Sequence, residues 1–265
     1  MPEDKFASKA MLKELAALKV KKFRRRAGRF LVEGMVMVSE ALESGWTVEM
    51  IVVNEDCRDS AETKAVLAQV NPESTKVFFA HPPAIKRLSD TVSPAAMIGV
   101  LPLRTYGLND FEREGALRLV VLDGVRDPGN AGAIIRSADA FGLDGVIMTR
   151  GGVEWTNPKV LRSTVASCFH LPIVTEVGED ELTQWLSTQG ARLLSAVARD
   201  GDDAASLDPG ERWAVIFGNE TAGPSESLMG ACEARVTVAT PGRAESLNVA
   251  VSAGVLLYLL TAPGK

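Results

Sequence analysis

The feature that most constrains this chain is the alternation, through its second half, of short apolar runs with helical patterns. LVVLDGV, GVIMTR, LPIVTEV, RLLSAVA, WAVIFGN and ARVTVAT read as strands, and helical segments separate most of them. The clearest helix is AGAIIRSADAF, in which Ala131, Ile134, Ile135, Ala138 and Phe141 build one apolar stripe. Strands that alternate with helices imply an α/β fold with a mostly parallel sheet covered on both faces. Ligands of such sheets sit beyond the carboxyl ends of the strands, so chemistry should cluster in the loops that follow them.

The first part of the chain has a different rhythm. Leu12–Arg26 reads as one basic helix and Gly34–Ser44 as a second, ended by Gly45. Val48–Val53, Lys76–Ala80 and Ala96–Leu103 read as strands, and Ala61–Val70 and Pro82–Ser89 as helices. The polar, glycine-containing segment RTYGLNDFEREGA reads as a linker. With 265 residues there is room for two domains. The expected division is 1–105 for a smaller α/β domain, 106–116 for the linker and 117–265 for the larger domain.

Charge and cysteine content narrow the function classes. The net charge is −5, yet residues 1–30 carry ten Lys and Arg against three Asp and Glu, leaving −12 on the rest. The cluster KVKKFRRRAGR (Lys19–Arg29) is able to neutralise backbone phosphates; a solvated helical face is the plainer alternative. Cys57, Cys168 and Cys232 form no CxxC pair, which excludes a zinc ribbon or thioredoxin-like site and fits a reducing, cytoplasmic setting. The N-terminus has no signal-peptide core, and no apolar run is long enough to span a bilayer. There is no HExxH, no Walker loop and no GxGxxG after a strand, and no metal is expected.

Three post-strand loops carry the chemistry. In the first, Asp127-Pro128-Gly129-Asn130 is a turn cluster, and Asn130 is placed to cap the next helix. Arg136, off the apolar stripe, should lean back toward that helix's N-terminus and join its free N–H groups around an anion. The second loop holds Gly218-Asn219-Glu220 and Gly223-Pro224-Ser225, which permit a bent backbone, while Ser225 is able simply to start a helix. The third runs through Pro241-Gly242-Arg243 to Ser246-Leu247-Asn248, at the mouth of a very apolar helix that reads as core or a subunit interface.

Taken together, DPGNAGAIIRSADAFG, FGNETAG and PGRAESLNVAVSAG resemble the SpoU/TrmH family of RNA ribose 2′-O-methyltransferases. Asn130, Gly132 and Arg136 match its Asn-x-Gly-x-x-x-Arg motif. Gly218, Asn219 and Glu220 match Gly-Asn-Glu, and Ser246, Leu247 and Asn248 match Ser-Leu-Asn. The front segment KFRRRAGRFLVEGMVMVSEALESG is similar to the family's added RNA-binding domain, related to a ribosomal-protein fold. Two departures stand out: Thr221-Ala222 replace the frequent Gly-Arg after Asn-Glu, and Val238-Ala239-Thr240 replace Ile-Pro-Met.

The resemblance implies a C-terminal trefoil knot of the SPOUT type, a homodimer, and bent S-adenosylmethionine (AdoMet) bound in the knot. It implies a catalytic set of Arg136, Asn130, Glu220, Ser246 and Asn248. It places the cofactor on Gly218, Asn219, Val238, Thr240 and Leu247, with Ser195 as a lesser contact. The family assigns proton removal from the 2′-hydroxyl to the arginine. A guanidinium is a poor proton acceptor, which favours a role in binding the adjacent phosphate and stabilising alkoxide charge. RNA contacts are expected at Lys21, Lys22, Arg24, Arg25, Arg26 and Arg29. Ribosomal RNA, 23S in particular, is the favoured substrate. A transfer RNA methyltransferase, an inactive RNA-binding protein on this scaffold, a base methyltransferase and a nicotinamide oxidoreductase are the competing readings.

Overall fold

The structure, a computed structural model, describes residues 5–89 and 94–262; the outer ends of the two expected domains lie outside them. It divides into two units: Met1–Arg104 with Thr156–Phe169, and Thr105–Trp155 with His170–Lys265.

In the first unit, the basic stretch expected as one helix is two, α1 (Lys9–Ala17) and α2 (Lys21–Ala27). Arg24 accounts for the break. Its Nη1 donates to the carbonyls of Leu18 (3.1 Å) and Lys19 (2.9 Å), taking up acceptors that the end of α1 leaves open. Gly28, at φ 62°, then turns the chain into β1 (Arg29–Glu33). There follow α3 (Met35–Glu43), β2 (Met50–Asn54), α4 (Ala61–Ala68), β3 (Lys76–Ala80), α5 (Pro82–Leu88) and β4 (Met97–Pro102). The strands form one sheet in the order β1-β4-β2-β3, antiparallel except for the β2–β3 pair. Leu15, Leu18, Leu31, Val52, Ile85, Ile98 and Val100 are buried together on one side of it.

The second unit is built on β5 (Leu117–Asp123), α6 (Pro128–Ala140) and β6 (Gly145–Thr149). The chain leaves it at Trp155. Residues 156–169, which include α7 (Pro158–Thr164), belong to the first unit. There the Arg24 Nε donates to the Thr156 Oγ1 (3.2 Å) and the Trp46 indole N–H donates to the Phe169 carbonyl (3.0 Å). The chain re-enters the second unit through β7 (Ile173–Val177), α8 (Glu179–Thr188), β8 (Arg192–Ala196) and β9 (Asp202–Asp203). It ends with β10 (Arg212–Gly218), α9 (Glu226–Ala231), β11 (Ala234–Thr237) and α10 (Val249–Thr261).

Its seven strands run in the order β7-β6-β5-β10-β8-β11-β9, with every neighbouring pair parallel. Leu117, Leu119, Val121, Ala214 and Ile216 pack with Leu182 and Trp185 of α8 on one face. Strand alternation sends Val120, Leu122, Val215 and Phe217 to the other, where α6 packs against α10. Each such fully buried large side chain stabilises the fold by roughly 1.5–3 kcal/mol.

The segment expected as a linker contributes to this core. Leu108 and Phe111 lie in a short 3-10 turn and are buried against Leu117 and Trp185. Two apolar residues three apart inside a polar stretch were the signal for it. No helix among the described residues is long and apolar enough to cross a membrane.

Candidate active site

The site forms because β5 and β10 lie side by side with Asp123 opposite Gly218, so their two loops leave the sheet at the same level. After β5, Gly124 (φ 62°) reverses the chain. Asp127, not Asn130, caps α6: its Oδ1 accepts the Asn130 backbone N–H at 2.8 Å, and Pro128 opens the helix. Asn130 is therefore inside the first turn of α6, and its side chain is released for the site. The Asp-Pro pair was the available sequence signal.

The loop after β10 is held by two contacts. A Cβ on Gly218 would lie 2.0 Å from the Pro224 nitrogen and 2.2 Å from the Gly223 carbonyl carbon, so only glycine fits. The Asn219 Oδ1 accepts the N–H groups of Thr221 and Ala222 (3.1 Å each), and its Nδ2 donates to the Gly124 carbonyl (3.1 Å). This folding presents Glu220, whose Oε1 accepts from the Asn130 side chain (2.9 Å) and the Asp127 N–H (3.2 Å). Partial burial works to raise the Glu220 pKa. The hydrogen bonds from the Asn130 side chain and the backbone around Glu220, Asp127 and Arg126 outweigh it and hold the carboxyl below its ordinary value. It is a carboxylate at neutral pH.

Residues 238–248 after β11 form no regular structure and end at Asn248, the N-cap of α10. The Asn248 Oδ1 accepts from the N–H groups of Ala250 and Val251, while its Nδ2 donates to the Asn130 Oδ1 at 3.0 Å. One residue from each loop thus joins a single chain of bonds, Glu220–Asn130–Asn248.

Beside that chain lies a cavity of about 530 Å³, within the size range of small-molecule sites. Gly218, Asn219, Val238, Thr240 and Leu247 line it, as do Glu220, Ser246 and Asn248. Bare loop backbone and the apolar walls of Val238 and Leu247 fit a nucleoside-sized ligand with a polar tail. Ser195 does not line it: the side chain is fully buried, with its hydroxyl against the Met229 sulfur at 2.9 Å. Arg136 is exposed on α6 and makes no hydrogen bond or ion pair among the described residues, so the convergence expected at the helix N-terminus is not formed within one chain.

The basic segment is divided in role. Lys21, Lys22, Arg25 and Arg26 are exposed, and Arg29 is exposed but paired with Glu49 at 2.6 Å. Arg24 is 3% exposed and ties α1 to Thr156; it is structural and unavailable to a phosphate. One inward-facing position among charged neighbours on a short helix has no signature in composition, which is why the sequence did not separate it.

Comparison with known proteins agrees with this geometry. Residues 118–258 match the SpoU rRNA Methylase family, and residues 9–99 match the MRM3-like substrate binding domain. Over 260 residues the chain is 30% identical to the 23S rRNA (guanosine(2553)-2'-O)-methyltransferase RlmP of Bacillus subtilis (strain 168), covering 98% of this chain and 99% of that one. It is 31% identical over 241 residues to the 23S rRNA (uridine(2479)-2'-O)-methyltransferase of Streptomyces viridochromogenes, covering 89% and 83%. The crystal structure of the SpoU methyltransferase AviRb from Streptomyces viridochromogenes in complex with AdoMet superposes with a TM-score of 0.88 at 29% identity, covering 96% of this chain and 97% of that one. With matches spanning nearly its whole length and all three loops assembled, the chain belongs to the SpoU rRNA methylase family.

Proposed function

We propose that this protein transfers a methyl group from AdoMet to a ribose 2′-hydroxyl of RNA, with 23S ribosomal RNA as the substrate. The observation that carries the reading is the Glu220–Asn130–Asn248 chain at the mouth of the cavity, one residue from each of the three motifs. Two relatives that cover most of the chain are by name 23S rRNA 2'-O-methyltransferases, which favours ribosomal over transfer RNA.

AdoMet, when bound, supplies an electrophilic methyl group. The cavity walls at Gly218, Val238, Thr240 and Leu247 hold and orient it, largely through backbone. Glu220 fixes the Asn130 amide, since its carboxylate takes the Asn130 Nδ2 as donor and so leaves the Asn130 Oδ1 to Asn248. Arg136 binds the phosphate next to the target ribose and stabilises negative charge as the 2′-oxygen attacks. A guanidinium is a poor proton acceptor, which suits stabilisation better than proton removal. Ser246 completes the substrate side of the pocket.

The first unit holds RNA through Lys21, Lys22, Arg25 and Arg26 of α2, supported by its match to a substrate-binding domain. The second unit carries the trefoil knot of the family and pairs with a second copy through α10. Val251, Val255 and Tyr258 are exposed along one face of that helix, and it carries no charged residue. An exposed Arg136 is then free to serve the pocket of the partner subunit. The protein works in the cytoplasm, a placing supported by its bacterial 23S rRNA methyltransferase relatives.

The test is transfer of labelled methyl from AdoMet to unmodified 23S, 16S and transfer RNA pools. Label in 23S RNA alone supports the reading. Label confined to transfer RNA overturns the substrate, and AdoMet binding without transfer to any pool favours a binding protein.

A further inference from the structure

We propose that Asp123 is a positioning residue for methyl transfer: its buried carboxylate fixes the loop 218–224 against the α6 loop. The proposal rests on the methyltransferase reading above and names a residue that none of the three motifs contains.

Asp123 is the last residue of β5 and is 6% exposed. An aspartate is rarely buried to that degree unless its oxygens are taken up by donors. Here both are. Oδ1 accepts the hydroxyl of Thr149, the last residue of β6, at 2.6 Å. Oδ2 accepts the backbone N–H of Ser225 at 2.7 Å. The Thr149 Oγ1 in turn accepts the Gly124 N–H at 3.2 Å, and the Gly124 carbonyl accepts the Asn219 side chain at 3.1 Å.

These bonds close a ring around the site. Asn219 anchors the start of the cavity-lining loop to Gly124, and Ser225 anchors its end to Asp123. Thr149 holds the carboxylate and Gly124 together from the neighbouring strand. Asp127 and Asn130, which bond Glu220, leave the sheet from the same Gly124 turn. One carboxylate therefore sets the two catalytic loops in register, and it touches neither the cavity nor the reacting atoms. Ser225 also caps α9, so a shift at Asp123 passes directly to Pro224, the cavity-lining residue before it.

The experiment uses the full chain with AdoMet and 23S RNA, in Thr149→Val, Thr149→Ser and Asp123→Asn variants. Thr149→Val removes the hydroxyl and leaves the side chain's shape. Each variant is checked by thermal unfolding, and AdoMet affinity is measured calorimetrically without RNA. Thr149→Val and Asp123→Asn should raise the KM for AdoMet about tenfold and lower kcat, with RNA affinity unchanged, because charge-assisted buried bonds are lost. Thr149→Ser, which keeps the hydroxyl, should recover to within about twofold. Folded Thr149→Val and Asp123→Asn proteins with wild-type KM and kcat overturn the proposal, as does a Thr149→Ser defect equal to that of Thr149→Val. If the wild-type protein neither binds AdoMet nor transfers methyl, the underlying reading fails and takes this proposal with it.

Discussion

A single methyl group at position 218 should damage both the fold and the cofactor site, and the size of the effect follows from the geometry. The Cβ of alanine would sit 2.0 Å from the Pro224 nitrogen, 2.2 Å from the Gly223 carbonyl carbon and 2.5 Å from the Pro224 Cδ. Two of these are backbone atoms and none has a rotamer to escape into. With unstrained contacts near 3.5 Å, the loop must move by roughly 1 Å or more. Overpacking of this kind costs about 1–3 kcal/mol. The displaced loop also strains the paired Asn219–Gly223 backbone bonds of 3.1 and 2.8 Å. Another ~1 kcal/mol goes with them, for a total near 3 kcal/mol. For a unit of this size that lowers Tm by about 10 °C. Gly230 is the internal control. It lies in α9 with nothing within 4 Å of a Cβ, so Gly230→Ala should raise stability by about 0.5–1 kcal/mol. Differential scanning calorimetry of both variants and calorimetric titration of Gly218→Ala with AdoMet check this. Equal Tm values for the two variants, or wild-type AdoMet affinity in Gly218→Ala, refute the packing argument.

Other expectations follow from individual contacts. Arg24→Ala should cost about 3 kcal/mol in chemical denaturation, because it opens α1's carbonyls and a buried site, whereas a paired Arg25→Gln and Arg26→Gln variant should keep its stability and lose RNA affinity with a shallower salt dependence. Glu220 has a folded pKa below its ordinary 4.5, so the stability it adds is present above that value and is lost as pH falls through the lower folded one. Denaturation of wild type and Glu220→Gln across pH should therefore converge only in acid. Burial pushes the Cys232 thiol up to about 11 against the opposing charge of Arg235. Alkylation by iodoacetamide at neutral pH should be slow at Cys232, read by peptide mass spectrometry. If α10 pairs two copies as proposed, Tyr258→Asp on its exposed face should give monomer in sedimentation where wild type gives dimer, and reduce methyl transfer.

Much of the larger unit was legible because a parallel sheet writes itself as apolar runs bounded by loops. Six of its seven strands were visible in this way. The missing one, β9, is two residues long and carries no pattern of its own. What the sequence left hidden depends on third parties. The break between α1 and α2 is made by Arg24 reaching back to Leu18 and across to Thr156. The assignment of 156–169 to the first unit rests on Trp46 and Arg24, far away in sequence. That the three motif loops would meet was legible from their place after strands, but the cap was not. Asp127 and Asn130 are both good capping residues, and only the structure decides that Asp127 caps while Asn130 faces Glu220. Ser195 failed for a related reason: strand alternation sends it into the core against Met229.

The most direct test of the account is nucleoside mass spectrometry of 23S RNA after incubation with methyl-labelled AdoMet, for wild type and Arg136→Ala. The account predicts label on a ribose 2′-oxygen, lost in Arg136→Ala while AdoMet affinity persists. Label on a base, or full ribose methylation by Arg136→Ala, would contradict it.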